Sequence, residues 1–441
     1  MRFFLLILLL LMENKVAFYT LGCKLNFAET STISHYFENE GYNIVAFNEF
    51  ADVYVINTCS VTAHANKKSR NAISRAKHKN PEAIIIATGC YAQLKPEDIE
   101  DIHGVDYIIG ANDKDKIKDI IQNIQKKETS LIITTDHKEM TNFFPSTSYG
   151  ERTRSFFKIQ DGCDYFCSYC TIPYARGRSR NESIANSIVR AKDIASKGIK
   201  EIILTGVNIG DFGKSTGETF YDLLLALTNV DGIERIRLGS IEPNLLTDGI
   251  INLVAKSQKL MPHFHIPLQS GSDIMLQMIR RRYDTNLFRS KIEIVRTILP
   301  NAFIGIDLII GLNGETNELF EKTANFVKSL DISFIHHFQY SEREGTPAVE
   351  FIPKTNPQTK HKRAEVINKI SSLKHKEFQS KQIGSKHVVL FESSIKNDTI
   401  FGFTDNYIKV ATQYDKQLIN TIKEVEITGF IDANTMSIKI I

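Results

Sequence analysis

Six cysteines carry most of the chemistry that the chain displays, and they fall into two sets of three. The compact set reads Gly162-Cys163-Asp164-Tyr165-Phe166-Cys167-Ser168-Tyr169-Cys170, a C-x3-C-x2-C spacing just after the alternating apolar stretch 155–159. Three thiolates on a loop leaving a strand can each bind one iron of a [4Fe–4S] cube, and the fourth iron then stays open for another ligand. A structural zinc site wants four protein ligands, and no Cys or His stands at a suitable fourth spacing beside this loop. Three disulfides are the other arithmetic possibility. A chain of 441 residues has core enough without such staples, and the last three cysteines are too close together to close useful loops.

The dispersed set is Cys23, Cys59 and Cys90, each at the end of a strand-like run: Val16-Ala17-Phe18 continuing through Tyr19, Val53 to Thr58, and Ile84 to Gly89. Continuous apolar strands separated by helical stretches (27–40, 65–79 and 113–126) imply a parallel sheet buried on both faces, and such sheets place their sites beyond the carboxyl ends of the strands. Three cysteines there can meet at one point and hold a second three-thiolate cluster. The alternative is three buried structural cysteines, a common fate for this residue.

The elements that must position these residues follow from length and pattern. A single core stops growing well short of 441 residues, so two or three domains are expected. With 42% apolar and 24% charged residues the chain reads as a folded protein, and a net charge of +3 leaves any nucleic-acid contact to local patches. After the first α/β unit (13–126), residues 127–148 lose periodicity, carry Pro145 with several Ser and Thr, and read as a linker. From 149 to 380, six strands alternate with helices, which predicts a partial (β/α)6 barrel with its chemistry at the carboxyl ends of the strands. The compact cysteine loop and Gly206-Val207-Asn208-Ile209-Gly210 fall there. A basic helix over 354–381 leads into short strands near 388–391, 407–410, 425–430 and 437–441, which predict a small β-barrel over 381–441. The first residues, Met1-Arg2 and the apolar run Phe3 to Leu11, are too short to span a membrane and lack a small-residue cleavage site. Residues 1–12 are read as a mis-assigned start, with Met12 as the initiator, or as an apolar leader, and the protein as cytoplasmic without membrane partners.

Taken together, these motifs resemble the radical S-adenosylmethionine (SAM) methylthiotransferase family over nearly the whole chain after residue 12. Leu21-Gly22-Cys23-Lys24-Leu25-Asn26, Asn57-Thr58-Cys59, Thr88-Gly89-Cys90, Ile172-Pro173-Tyr174-Ala175-Arg176-Gly177 and Pro267-Leu268-Gln269-Ser270-Gly271-Ser272 all look like stretches of that family. The resemblance implies a flavodoxin-like N-terminal domain, a TIM-type radical SAM barrel and a C-terminal TRAM-like RNA-binding barrel. It also implies two [4Fe–4S] clusters: a SAM-binding one on Cys163, Cys167 and Cys170, and an auxiliary, sulfur-presenting one on Cys23, Cys59 and Cys90. Cys23-Lys24-Leu25-Asn26 is most similar to the MtaB type, whose members convert N6-threonylcarbamoyladenosine beside the tRNA anticodon to its 2-methylthio form. The implied partners are the tRNA anticodon stem-loop and an electron donor such as flavodoxin or ferredoxin.

Within that resemblance Tyr169, Glu242 and Arg176 are candidates for contact with SAM, Tyr169 beside the adenine and Arg176 at the carboxylate or, alternatively, at RNA phosphates. Arg178 and Arg180 could serve SAM or RNA phosphates. Gln269 and Asp307 are read as structural, and Lys67, Lys68, Arg70, Arg75 and Lys77 either guide an anticodon stem or form a solvated helix face. The rival functions are a methylthiotransferase acting on N6-isopentenyladenosine or on a ribosomal protein, and a noncatalytic metal-containing RNA-binding protein.

Overall fold

The computed structural model describes residues 14–149 and 153–441, so the expectation for residues 1–12 lies outside the described residues. The chain divides into two compact units.

The first unit is built on a six-stranded, all-parallel sheet in the order β2-β1-β3-β4-β5-β6, comprising β1 (Lys15–Thr20), β2 (Asn43–Val45), β3 (Val53–Thr58), β4 (Ile84–Gly89), β5 (Tyr107–Ile109) and β6 (Leu131–Ile133). The order 2-1-3-4-5 is that of a flavodoxin-like sheet. Period-two alternation lets each strand bury both faces. Tyr54 and Ile56 of β3 join Ala72, Ile73 and Ala76 of α2 (Ala63–Lys79) on one side, while Val53 and Val55 join Ile33 and Phe37 of α1 (Lys24–Asn39) on the other. Thr62 caps α2 by accepting from the Ala65 N–H at 3.1 Å.

Two expectations for this unit need correction. The stretch read as a linker supplies β6, which pairs in register with β5, and Thr147 and Tyr149 donate their backbone N–H groups to Thr32 and Ser31 of α1. A three-residue edge strand is too short to show alternation, which is why composition alone suggested a loop. The helix expected over 113–126 is a short turn at Lys114–Lys116 followed by Ile117–Gln122. The segments Asp161–Asp164 and Cys170–Arg180 also belong to this first unit.

The second unit contains six barrel strands: β7 (Arg154–Lys158), β8 (Glu201–Thr205), β9 (Arg235–Leu238), β10 (His263–Gln269), β11 (Phe303–Ile310) and β12 (Phe334–Gln339). They form two parallel three-stranded sheets, β7-β8-β9 and β10-β11-β12, with parallel bridges Ile236–Leu260 and Ser240–His265 between them. The open edge at β12 is covered by the long helix Pro357–Ser380, whose Ser371 hydroxyl bonds both the N–H and the C=O of Ile335. Beyond it β13 (Lys386–Lys396), β14 (Thr399–Thr404), β15 (Lys409–Gln413), β16 (Ile422–Asp432) and β17 (Thr435–Ile440) close a barrel in the order β13-β14-β15-β17-β16. Val389, Phe391, Ile400, Val410, Val425, Ile427 and Met436 fill it. β14 was not anticipated, because Gly402 and Thr404 occupy two of its inward positions and dilute the apolar alternation.

This small barrel seats on the amino-terminal ends of β7, β8 and β9. Arg154 pairs with Glu392 at 2.7 Å, and Arg235 and Arg237 reach the Thr404 and Asp405 carbonyls at 2.7 and 3.0 Å. Both of the latter arginines are also paired with the fully buried Glu201, at 2.8 and 3.1 Å. Among the described residues no helix is long and apolar enough to cross a membrane.

Candidate metal centres

Cys59 follows β3 directly, Cys90 follows β4 directly as the first residue of a short helix, and Cys23 stands beyond β1 as the N-cap of α1. β1, β3 and β4 are neighbours, so the three cysteines lie along one carboxyl edge of the sheet. The edge includes the point between β1 and β3 where strand order reverses, the usual place for a ligand in such folds.

Two glycines make the close spacing possible. Gly89 has φ +102°, and a Cβ on it would lie 2.5 Å from both the Asn57 Oδ1 and the Thr58 carbonyl oxygen. Gly22 has φ +98°, and its Cβ would lie 2.9 Å from the Cys59 Sγ, so the Cys59 thiol rests against the backbone leading into Cys23. Burial, with the neighbouring Cys90, pushes the Cys59 thiol up to about 11, and burial raises Cys90 as well. A metal bound here would displace those protons, since thiolate is the ligating form. None of the six cysteines is joined in a disulfide. Among the described residues no three His, Cys, Asp or Glu side chains converge as tightly as one metal ion requires. A cube does not demand that convergence, because each thiolate binds a different iron.

Behind this edge lies a fully buried polar constellation. Asn26 donates to the carbonyls of Leu21 and Thr58 at 2.7 and 3.0 Å, tying together the backbones that carry Cys23 and Cys59. Asn57 donates to the Asn26 carbonyl at 3.0 Å. Arg176 donates to Glu29 at 2.9 and 3.1 Å, to Asp161 at 3.0 Å and to Asn26 at 2.7 Å. Lys114 pairs with the same Glu29 and donates to Asn57 at 3.1 Å. The guanidinium expected at a SAM carboxylate is thus engaged by protein groups of the first unit.

On the compact loop, the Cys163 N–H donates to the Gly177 carbonyl at 3.0 Å, and the Ile172 N–H lies 3.4 Å from the Cys170 Sγ. Both contacts are made by the short helix α3 (Ile172–Arg176) and the glycine that ends it. In the second unit, Arg281 donates to the Cys167 Sγ at 3.2 Å and pairs with Glu242. Burial raises both the Cys167 thiol and the Glu242 carboxyl, and Arg281 opposes each shift. Arg281 is braced by the Tyr283 hydroxyl at 3.1 Å, which in turn donates to the Pro267 carbonyl at 2.6 Å. Tyr169 is half-buried and acts electrostatically on Arg281. At the carboxyl end of β8, Asn208 is buried with both ends of its amide unpartnered, as is the nearby Thr205 hydroxyl. Unsatisfied buried groups of this kind suit a polar ligand such as SAM.

Residues 15–110 match the Uncharacterized protein family UPF0004, and residues 157–327 match the Radical SAM superfamily. A threonylcarbamoyladenosine tRNA methylthiotransferase MtaB of Bacillus subtilis is 37% identical over 93% of this chain and 93% of its own. The chain belongs to the radical SAM methylthiotransferases. A tRNA-2-methylthio-N(6)-dimethylallyladenosine synthase of Clostridium botulinum is 34% identical over 95% of each chain. Among solved structures, the radical SAM methyltransferase TsrM of Kitasatospora setae, with cobalamin and a [4Fe–4S] cluster bound, shares the fold at TM-score 0.56 and 14% identity, over 76% of this chain and 77% of that one. Radical SAM methylthiotransferases employ SAM and [4Fe–4S] clusters.

Arg178 is exposed beside Asp164, and Arg180 donates to the Asn142 carbonyl at 2.6 Å. Asp307 accepts from His265 at 2.8 Å, and Gln269 takes φ +66° at a β-bulge. Of the basic helix face, Arg70 bonds the Tyr91 hydroxyl and Lys77 the Pro81 carbonyl, while Lys67, Lys68 and Arg75, the last lying over the Tyr19 ring, are exposed. Sequence reasoning missed Glu29, Lys114 and Arg281, and it placed Asn208 at a functional strand end without giving it a role. Glu29 was detectable: it lies three residues beyond Asn26, on the inward face of α1 that Ile33 and Phe37 continue, where a charge interrupts the apolar pattern.

Proposed function

We propose that Cys163, Cys167 and Cys170 hold the SAM-binding cluster and that Cys23, Cys59 and Cys90 hold the auxiliary one. The protein then installs a 2-methylthio group on N6-threonylcarbamoyladenosine beside the tRNA anticodon. The observation that carries this reading is the second cysteine set on three adjacent parallel strands, in a chain that matches an MtaB enzyme along 93% of its length. Bound at these sites, the clusters would supply one-electron cleavage of one SAM molecule and a sulfur that accepts the methyl group of a second. That chemistry suits adenine C2, which offers neither an acidic proton nor a leaving group.

The chain's own part is positioning. Arg281 holds Cys167 and Glu242 together, Asn208 offers an unpaired amide at a strand end, and Asn26 and Asn57 fix the backbones that present Cys23 and Cys59. The substrate portion is the anticodon stem-loop, the electron donor is a flavodoxin or ferredoxin, and the setting is the cytoplasm.

Nucleoside analysis of tRNA from a deletion strain tests the assignment. Loss of 2-methylthio-N6-threonylcarbamoyladenosine, restored by the intact gene, is the expected result. Unchanged levels of that nucleoside with loss of 2-methylthio-isopentenyladenosine would transfer the protein to the second substrate group, which the Clostridium botulinum relative represents.

A further inference from the structure

Four ionisable side chains are shut away together behind the dispersed cysteines: Arg176 and Asp161 are each 1% exposed, and Glu29 and Lys114 are fully buried. As a stabilising device this is uneconomical. Taking charges out of water costs several kcal/mol per ion, and apolar replacements of buried ion pairs are often neutral or better. The arrangement is also asymmetric with respect to the cysteines. The Arg176 guanidinium is hydrogen-bonded to the Asn26 side chain, whose other end binds the Leu21 and Thr58 carbonyls immediately before Gly22-Cys23 and Cys59. The Lys114 ammonium is hydrogen-bonded to Asn57 Oδ1, the atom against which Gly89 packs just before Cys90. Each cation is thus one side chain removed from the backbone that presents a cysteine.

We propose that Arg176 and Lys114, anchored by Glu29 and Asp161, form a buried cationic shelf that sets the reduction potential of the cluster on Cys23, Cys59 and Cys90. This inference rests on the cluster assignment above. Potentials of iron–sulfur centres respond to nearby charge and hydrogen bonding, and second-shell groups tune what the ligands hold. Adding an electron adds negative charge, so a fixed cation nearby favours the reduced state and raises the potential; a fixed anion lowers it. Arg176 and Lys114 are therefore positioning residues with an electrostatic task. Arg176 is suited to it because its guanidinium cannot shed its proton on burial.

The test uses the full-length chain carrying Cys163→Ala, Cys167→Ala and Cys170→Ala, reconstituted anaerobically so that only the dispersed cysteines hold iron. The potential is read by EPR-monitored redox titration. Arg176→Gln and Lys114→Met should each shift the midpoint downward. Glu29→Gln, made on the Lys114→Met background so that no lysine proton can be lost in compensation, should shift it upward relative to that background. Opposite signs separate an electrostatic role from a structural one, which would move all variants together. Midpoints that do not move, or that move in one direction for cation and anion removal alike, overturn the proposal. Absence of iron in the starting triple variant would instead defeat the cluster assignment itself.

Discussion

A methyl group at residue 89 is the smallest change that probes the edge where Cys90 is presented. Gly89 holds a left-handed φ of +102° and packs within reach of the Thr58 backbone, so Gly89→Ala meets both strain and a clash that no side-chain rotamer relieves. The conformational part alone costs on the order of 1–3 kcal/mol. The strand end must shift, and Cys90 shifts with it. Anaerobic reconstitution of Gly89→Ala should give about four irons per chain in place of about eight, with reductive SAM cleavage retained. A full complement of iron would show that Gly89 serves only the fold. Gly22 offers a parallel but gentler case, because its Cβ would press on the Cys59 side chain and not on backbone.

On the proposed assignment the two cysteine-bearing elements make separable contributions, and paired triple variants distinguish them. Replacing Cys23, Cys59 and Cys90 with Ala should leave about four irons and intact reductive SAM cleavage but no methylthiolated product. Replacing Cys163, Cys167 and Cys170 should leave a similar amount of iron and abolish SAM cleavage. Iron analysis with detection of 5'-deoxyadenosine reads both, and equal loss of cleavage in the two variants would contradict the division of labour. These elements were legible in the sequence because β3 and β4 are continuous apolar runs ending in motif residues, and because C-x3-C-x2-C is local. Less legible were elements whose signal is short or diluted. β6 has only Leu131-Ile132-Ile133, and β14 turns Gly402 and Thr404 inward. Arg176 was read as a SAM contact because it stands beside the cysteine loop. Its partners Glu29 and Asn26 are 147 and 150 residues away, a tertiary pairing that spacing along the chain does not encode.

At the scale of the whole second unit, the small C-terminal barrel is held to the strand ends opposite those that carry the cysteine loop and Asn208. In barrels of this kind that face serves stability and leaves chemistry to the other. Its keystone is Glu201, fully buried between Arg235 and Arg237, whose guanidinium groups also reach barrel carbonyls at Thr404 and Asp405. Burial alone would raise this carboxyl. Arg237, Arg235 and Arg154 overcome that and hold it down at about 2, while burial lowers Arg235 to about 10. A carboxyl depressed on folding contributes stability above its unfolded value of about 4.5 and loses that contribution as the pH falls from there toward 2. The shift corresponds to a contribution on the order of 3 kcal/mol at neutral pH. Glu201→Gln removes the charge and leaves two buried guanidinium groups short of a counter-ion, so it should destabilise the full-length chain by about 3–5 kcal/mol at pH 7. The gap between the native protein and Glu201→Gln in urea midpoint should narrow steadily below pH 4.5. A gap that is independent of pH across that range would mean that Glu201 acts through shape and hydrogen bonding and not through its charge.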